Sequence, residues 1–342
     1  MNSSKKISIV LLNWNGSSFL QRFLPSVVGC SEGNTEIIVA DNGSTDQSKE
    51  VVETDFPTVK FLQLDQNYGF ADGYNKALVQ VTADYLVFLN TDVKVTPGWL
   101  DPMAELLDND PAIGICQPKI LSLDRPDEFE YAGAAGGFID RYGYPYCRGR
   151  ILQEVEKDLG QYNNSISVSW ASGACMMVRA DLWKQCNGFD ADFWAHMEEI
   201  DLCWRAQHLG YRIMVCPESV VYHIGGGTLN YNSPLKIHLN FRNNLFLLYK
   251  NLPGSQLTTK LPARMILDGL AALVFLLKGE TRSFAKVFSA HLKFYKSLPS
   301  LTRKRKAIFR AGKGNRVRLT SGQSILWNYF VRKRRKFSEL NS

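Results

Sequence analysis

Four apolar runs in the first part of the chain each stop abruptly on polar side chains or glycine. Ile7 to Leu12 ends in Asn13-Trp14-Asn15-Gly16, and Glu36 to Ala40 ends in Asp41-Asn42-Gly43-Ser44-Thr45-Asp46. Val59 to Leu64 runs into Asp65-Gln66-Asn67-Tyr68-Gly69-Phe70, and Tyr85 to Leu89 runs into Asn90-Thr91-Asp92. Short, nearly continuous apolar runs are strands buried on both faces. Between them the patterning is helical: Ser17 to Val28 with Ser17 or Ser18 as cap, a polar helix after Asp46, and a helix with Asn75 early in it. Strands alternating with helices predict an α/β fold with a parallel sheet. Ligands of such sheets sit beyond the carboxyl ends of the strands. The four polar strand ends therefore mark one edge, laid out as a nucleotide site is. At that edge Asp92 can hold a divalent cation that in turn holds phosphates, although a lone Asn-x-Asp serves equally well as a turn.

Beyond Pro111 the pattern is less regular. Ile113 to Leu121 is strand-like, and the whole region from Pro111 to Ser169, with its Gly/Tyr-rich stretch Tyr131 to Gly149, reads as a substrate-facing insertion. Order returns with a strand over Trp170 to Arg179, a short helix over Ala180 to Gln185, and a helix over Phe193 to Arg205. That last helix carries Glu198, Glu199 and Asp201 near its start, where acids favour the positive helix end. Asp201 and Arg205 are i,i+4 neighbours and predict an ion pair. Glu199 points about 100° away from the face that Glu198, Asp201 and Arg205 share. Strands over Tyr211 to Cys216 and Ser219 to Tyr222 close the sheet and lead into His223 and Gly225-Gly226-Gly227. A helix over Leu239 to Lys250 follows.

The net charge of +7 averages two unlike parts. From Arg242 onward there are 22 Lys and Arg against three acids, which leaves 18 basic and 30 acidic residues before it. An acidic globular part thus carries a basic tail, and the tail predicts an anionic partner. Apolar and basic residues interleave along Ala263 to Leu277 and on through Phe284, Phe288, Phe294, Tyr295 and Phe309, with basic runs at Arg303-Lys304-Arg305-Lys306 and Arg332 to Lys336. This reads as helices lying on an anionic membrane surface. A helical subdomain with a solvated basic face is the plainer reading, and no nucleic-acid reader motif supports a third. Seven cysteines without a C-x-x-C pair fit a reducing compartment and give no zinc spacing. Met1 to Lys6 leads directly into a strand, so no signal peptide is expected. The apolar run from Ile266 to Leu277, broken by Asp268, is shorter than the ~20 residues of a spanning helix. A cytoplasmic protein, peripheral on the cytoplasmic membrane face, is the expected outcome.

Taken in order, Val10 to Gly16, Val39 to Asp46, Asn67 to Asn75, Asn90-Thr91-Asp92, Ser172-Gly173-Ala174, Glu198-Glu199-x-Asp201 and His223 resemble the family 2 glycosyltransferases of GT-A fold. The likeness is to the bacterial rhamnosyltransferase-like branch and covers roughly residues 5 to 245. It implies a GT-A catalytic domain over 1–245 and leaves 246–342 as a basic, amphipathic helical region. Two positions depart from the family pattern. Asn90 stands first in a metal motif usually written D-x-D, and Glu198-Glu199 replaces the usual Glu-Asp.

By that resemblance Asp92 and His223 would hold Mn²⁺ or Mg²⁺, and the imidazole favours Mn²⁺. Asn90 can offer only a neutral carbonyl or a hydrogen bond. Asp41 would meet the nucleobase, where a carboxylate accepting from a pyrimidine N3–H favours uridine or thymidine donors. Its plainer role is an Asx-type turn with Asn42-Gly43. Asn13 and Asn15 would contact base or phosphate, Asn67 and Gly69 would let backbone approach the donor, and Asn75 would lie by the ribose or diphosphate. The matched positions Trp170, Ser172, Gly173 and Glu198 would line the donor-sugar and acceptor pocket. Motif position makes Glu199 the general base, with Asp201 second, because an acceptor hydroxyl must lose its proton as it attacks. The implied activity is an inverting, metal-dependent transfer from a dTDP- or UDP-sugar to a glycan or lipid-linked acceptor, with dTDP-rhamnose among the donors. Two rivals remain at this stage. A nucleotidyltransferase would need a basic Gly-rich loop where Asn13 to Ser18 has no basic residue. A catalytically silent sugar-nucleotide-binding scaffold would explain Asn90.

Overall fold

The computed structural model describes residues 5–225, 233–312 and 321–341. Residues 1–4, with the start of the chain, and Gly226 and Gly227 lie outside them. The expected alternation is present: β1 (Ile7–Asn13), α1 (Ser17–Gly29), β2 (Thr35–Asp41), α2 (Ser48–Asp55), β3 (Lys60–Gln63), α3 (Gly69–Ala77) and β4 (Tyr85–Leu89). These four strands pair in parallel in the order β3-β2-β1-β4. Next come β5 (Val93–Val95), α4 (Asp101–Asn109) and β6 (Ile113–Ser122). β6 lies inside the main sheet and is no part of an insertion. The insertion proper is a small antiparallel sheet of β7 (Gly137–Ile139), β8 (Pro145–Cys147), β9 (Arg150–Ile151) and β10 (Glu154–Val155).

After β11 (Ile166–Val168), β12 (Cys175–Arg179) enters antiparallel between β4 and β6. α5 (Ala180–Gln185), α6 (Glu198–His208) and β13 (Arg212–His223) follow. β13 runs parallel to β6, while β11 and β5 pair antiparallel with it. The main sheet is therefore parallel at one end and mixed at the other. Helices cover both faces. On α1 the stripe Leu20, Phe23, Leu24 and Val27 is buried, at the i, i+3, i+4, i+7 spacing of one helix face. Each such side chain contributes about 1.5–3 kcal/mol.

Three segments differ from their sequence-based expectation. The strand expected over Trp170 to Arg179 begins only at Cys175. Before it the Trp170 indole packs on Gly137 and donates to Phe138 O at 3.0 Å, which draws the chain out of the sheet. The two closing strands are one, β13, with a register shift between Cys216 and Val220, where Pro217 has no N–H for the ladder. The helix expected from Phe193 begins at Glu198, because Trp194, His196 and Met197 have φ of 64°, 69° and 71°.

The basic region forms α7 (Pro234–Asn251), α8 (Gly254–Leu277) and α9 (Thr281–Ala311). α7 runs through residue 245, so a division there falls inside a helix. Residues 321–341 return to the small sheet, where Ile325 and Leu340 pack with Tyr146 and Ile151. Among the described residues no helix is long and apolar enough to cross a membrane.

Candidate active site

Strand register sets Asn13 beside Asp41 and Asp41 beside Gln63. Asn13 Nδ2 donates to Asp41 Oδ1 at 2.9 Å; Gln63 Nε2 and Ser44 N donate to Oδ2 at 3.0 and 2.9 Å. Three of the carboxylate's roughly four lone-pair sites are thus filled, and the turn role of Asp41 is real. Asn13 is fully buried, and its Oδ1 has no partner among the described residues. Asn15, at φ 50°, accepts from Thr45 N at 2.8 Å.

Asn42 builds the next turn. Its Nδ2 donates to Asn67 Oδ1 (3.1 Å) and Gly69 O (3.0 Å), and its Oδ1 accepts from Tyr68 N (3.0 Å). Gly69 has φ 75°, and a Cβ there would lie 2.6 Å from the Trp194 indole. Trp194 O accepts from Phe70 N and Ala71 N at 2.7 and 3.1 Å, capping α3. Both ends of the Asn75 amide bond the Phe189 backbone at 2.9 Å. Asn75 therefore ties α3 to the loop after α5.

At the other end of the edge, β5 pairs Val93 with His223, which brings Asp92 alongside. Asp92 Oδ1 is 3.1 Å from His223 Nε2, and both side chains are buried. His223 Nδ1 lies 3.4 Å from Glu130 Oε1, and Glu130 Oε2 accepts from Ala132 N at 2.6 Å. Burial alone would depress the imidazole, but hydrogen bonds to Asp92 and Glu130 outweigh it and lift it to about 10. Among the described residues no three His, Cys, Asp or Glu side chains converge as a full cation cage. The pair fits a cation shared with a diphosphate nonetheless. A 3.1 Å gap is close to the ~3 Å between neighbouring ligands at bonds of ~2.1 Å. Glu130 behind Nδ1 orients the ring so that Nε2 faces Asp92, and to ligate a cation Nε2 would have to give up the proton it shares with that carboxylate.

Asn90 N donates to Ala174 O at 3.0 Å. Ser172, one turn earlier, is buried between Gln117 Oε1, which accepts from its N at 2.9 Å, and Ala132 O, which accepts from its Oγ at 3.0 Å. A Cβ on Gly173 would touch Glu199 Cβ at 3.7 Å and Phe70 at 3.6 Å. Gly173 and Ala174 thus bridge the acids of α6 to the Asn90-Thr91-Asp92 turn.

The three acids differ sharply. Asp201 is fully buried, with Arg205 Nε at 2.7 Å, Lys250 Nζ at 2.8 Å and Asn251 Nδ2 at 2.9 Å. Burial opposes its ionisation, but Lys250 and Arg205 overcome this and hold it below the usual carboxylate range. Glu198 and Glu199 each have an Oε2 without a partner among the described residues. Burial, then Glu199, pushes Glu198 well up, and burial lifts Glu199 to about 7 against backbone hydrogen bonds that favour its charge.

A family model for glycosyl transferase family 2 matches residues 8–185. The chain belongs to that family. It is a glycosyltransferase. Its relatives include the N-acetylglucosaminyl-diphospho-decaprenol L-rhamnosyltransferase of Mycobacterium tuberculosis, 26% identical over 235 residues, 64% of this chain and 75% of the relative. The pre-mycofactocin glycosyltransferase of the same organism is 27% identical over 231 residues, 65% of this chain but 43% of the relative. Among solved structures, S. aureus TarS 1-349 in complex with UDP-GlcNAc superposes with TM-score 0.58 at 17% identity, covering 90% of this chain and 87% of that one. GalNAc-T7 with UDP, GalNAc and Mn²⁺ gives 0.56 at 15% identity, over 73% of this chain and 48% of that one. These likenesses establish the GT-A-like fold.

Sequence reasoning missed Glu130 and Trp194, and gave Asn42 only as part of the Asp41 turn. Glu130 sits in the irregular stretch with no motif around it, and Trp194 acts through its carbonyl and ring position. Asn42, within a strand-end cluster already singled out, was legible as a turn-builder.

Proposed function

We propose that this glycosyltransferase moves a sugar from a UDP- or dTDP-linked donor, with rhamnose a leading candidate, to a lipid-linked saccharide in one displacement that inverts the anomeric carbon. The observation that carries the reading is Glu199: half-buried, with one carboxyl oxygen buried and without a partner among the described residues, and lifted by desolvation to about 7. A carboxylate of that kind takes the proton of an attacking hydroxyl efficiently at physiological pH. Asp201, committed to Arg205 and Lys250, holds α6 in place instead. Asp92 and His223 would hold Mn²⁺ or Mg²⁺, with Glu130 fixing the imidazole and Asn90 offering a neutral oxygen. Such an ion, when bound, stabilises the charge that grows on the diphosphate as the sugar departs. The remaining lone-pair site of Asp41 supports a pyrimidine donor. Gly173 and Glu198 border the sugar pocket, and Asn13, Asn15, Asn67, Gly69, Asn75, Trp170 and Ser172 shape it from behind.

A lipid-linked acceptor is supported by the C-terminal region, residues 246–342. α8 exposes Ile266, Leu270, Leu273, Val274 and Leu277, and α9 exposes Phe284, Phe288, Leu292 and Tyr295. Beside α8 a cleft of about 1110 Å³ combines Ile266, Leu267 and Trp327 with Arg141, Arg332 and Arg334. Apolar stripes edged by arginine suit an anionic membrane surface on the cytoplasmic side.

The test is turnover of a panel of sugar nucleotides with Mn²⁺ or Mg²⁺ and membrane extract as acceptor. One donor should be consumed, with inverted product, and Glu199→Gln should abolish turnover while keeping nucleotide binding. Mn²⁺ should tighten UDP or dTDP binding in the wild type but not in Asp92→Ala. Tight binding without turnover of any donor would instead identify a sugar-nucleotide-binding scaffold.

A further inference from the structure

The segment just ahead of Glu198 and Glu199 is the most strained in the described chain. Three of four successive residues, Trp194, His196 and Met197, adopt left-handed φ without being glycine. Each such residue costs about 1–3 kcal/mol and persists only where its surroundings over-determine it. The strain turns a row of carbonyls inward, and two consecutive residues of α7 meet them, with Asn244 beside them. Arg242 Nη2 donates to Asp192 O at 2.9 Å and Phe193 O at 2.8 Å. Asn243 Nδ2 lies 3.0, 2.8 and 2.7 Å from Phe193 O, Ala195 O and His196 O. Arg242 Nε also donates to Asn243 Oδ1 at 2.9 Å, which fixes the orientation of the amide. Asn244 Nδ2 donates to Gly143 O at 2.6 Å and lies 3.9 Å from Met197 Sδ. All three side chains are buried. On its other side the same loop caps α3 through Trp194 O.

We propose that Arg242 and Asn243 are positioning residues for the transfer reaction: by clamping the 192–196 backbone they fix where α6 starts and hence where the Glu199 carboxylate stands. Neither touches Glu199. The inference rests on Glu199 being the base. A base displaced by about 1 Å loses roughly 100-fold in rate, while a donor held at the strand edge is bound much as before. Releasing the loop would also let water reach Glu199, whose other titratable neighbours are Glu198 and Cys203 on its own helix and Cys147 on β8.

The experiment compares full-length wild type, Asn243→Ala, Asn243→Asp, Arg242→Lys and Glu199→Gln with the donor that the panel identifies. In the Asn243 and Arg242 variants kcat should fall by about 10- to 100-fold with donor KM and Mn²⁺-UDP binding within about three-fold. The acid limb of their pH–rate profile should move down by about one unit as Glu199 is hydrated. A folded variant that keeps the wild-type kcat and acid limb overturns the inference. So does a loss of turnover that follows donor binding and thermal stability in proportion. Arg242→Lys, which keeps the charge but cannot join the Asp192 and Phe193 carbonyls to the Asn243 amide through two separate nitrogens, decides the matter if the Asn243 variants do not fold. If Glu199→Gln retains turnover, the base assignment itself has failed; if only the clamp variants behave as wild type, that assignment stands and the clamp falls.

Discussion

Glu198, Glu199 and Asp201 are chemically alike, and their separation into three roles comes from what each one meets. Asp201 is ionised because Lys250, distant in sequence, and Arg205 meet it in the core. Glu199 has no such partner, and burial raises its pKa from 4.5 to about 7. The sign for stability follows directly. Between these two values the folded state holds a proton that the unfolded state has released, so stability falls as pH rises from about 4.5 to 7. Glu199→Gln removes that penalty. The variant should therefore gain on the order of 1 kcal/mol relative to wild type at pH 8 and nothing at pH 4, read from denaturant melts at the two pH values, while turnover is lost. Such a gain on removal, together with lost turnover, would mark Glu199 as a group held for chemistry rather than for stability.

At the scale of elements, the start of α3 and the start of α6 depend on each other. Gly69 adopts φ 75° directly beneath the Trp194 ring, and Trp194 O caps Phe70 and Ala71. Gly69→Ala meets both a strained backbone and the Trp194 ring, which would have to swing aside. It should destabilise the protein by about 1–3 kcal/mol in urea melts and, if the Asn67-to-Gly69 turn borders the donor as proposed, raise donor KM. Strand periodicity and polar strand ends made β1 to β4 legible because local burial on both faces leaves an unbroken apolar run. The start of α6 was not legible. Phe193 to Met197 has an ordinary helical composition, and a different path is stabilised by carbonyl partners far along the chain, Arg242 and Asn243 of α7 and the Phe70 and Ala71 N–H groups of α3.

For the whole molecule, the basic tail divides into two populations that its sequence presents as one. Lys304 reaches Asp190 and Asp192, Arg305 Nη1 donates to Tyr249 O at 2.7 Å, and Arg335 pairs with Glu154 at 3.2 Å. Arg303 and Lys306, in the same run as Lys304, face outward. Lys304→Ala should cost about 1–2 kcal/mol in thermal or urea unfolding, and Lys306→Ala almost nothing. Vesicles of anionic phospholipid should sediment the wild type in a salt-sensitive manner. Leu270→Glu with Leu273→Glu should abolish this with unchanged melting temperature, and retained vesicle binding would remove the apolar stripe from the interface.

The α/β class, the polar strand ends, the Asp201–Arg205 pair and the family were legible in the order of amino acids, because each rests on short-range patterning or on ordered motifs. Tertiary structure decided the rest. It set Glu130 behind His223, committed Asn75 and much of Asp41 to architecture, and turned Lys304 inward. It also delayed the start of the expected helix from Phe193 to Glu198 and strained the loop before it. In each case the deciding partner lies far along the chain, and a buried polar group takes the role its partner completes. Residue type and local spacing carry no record of that partner.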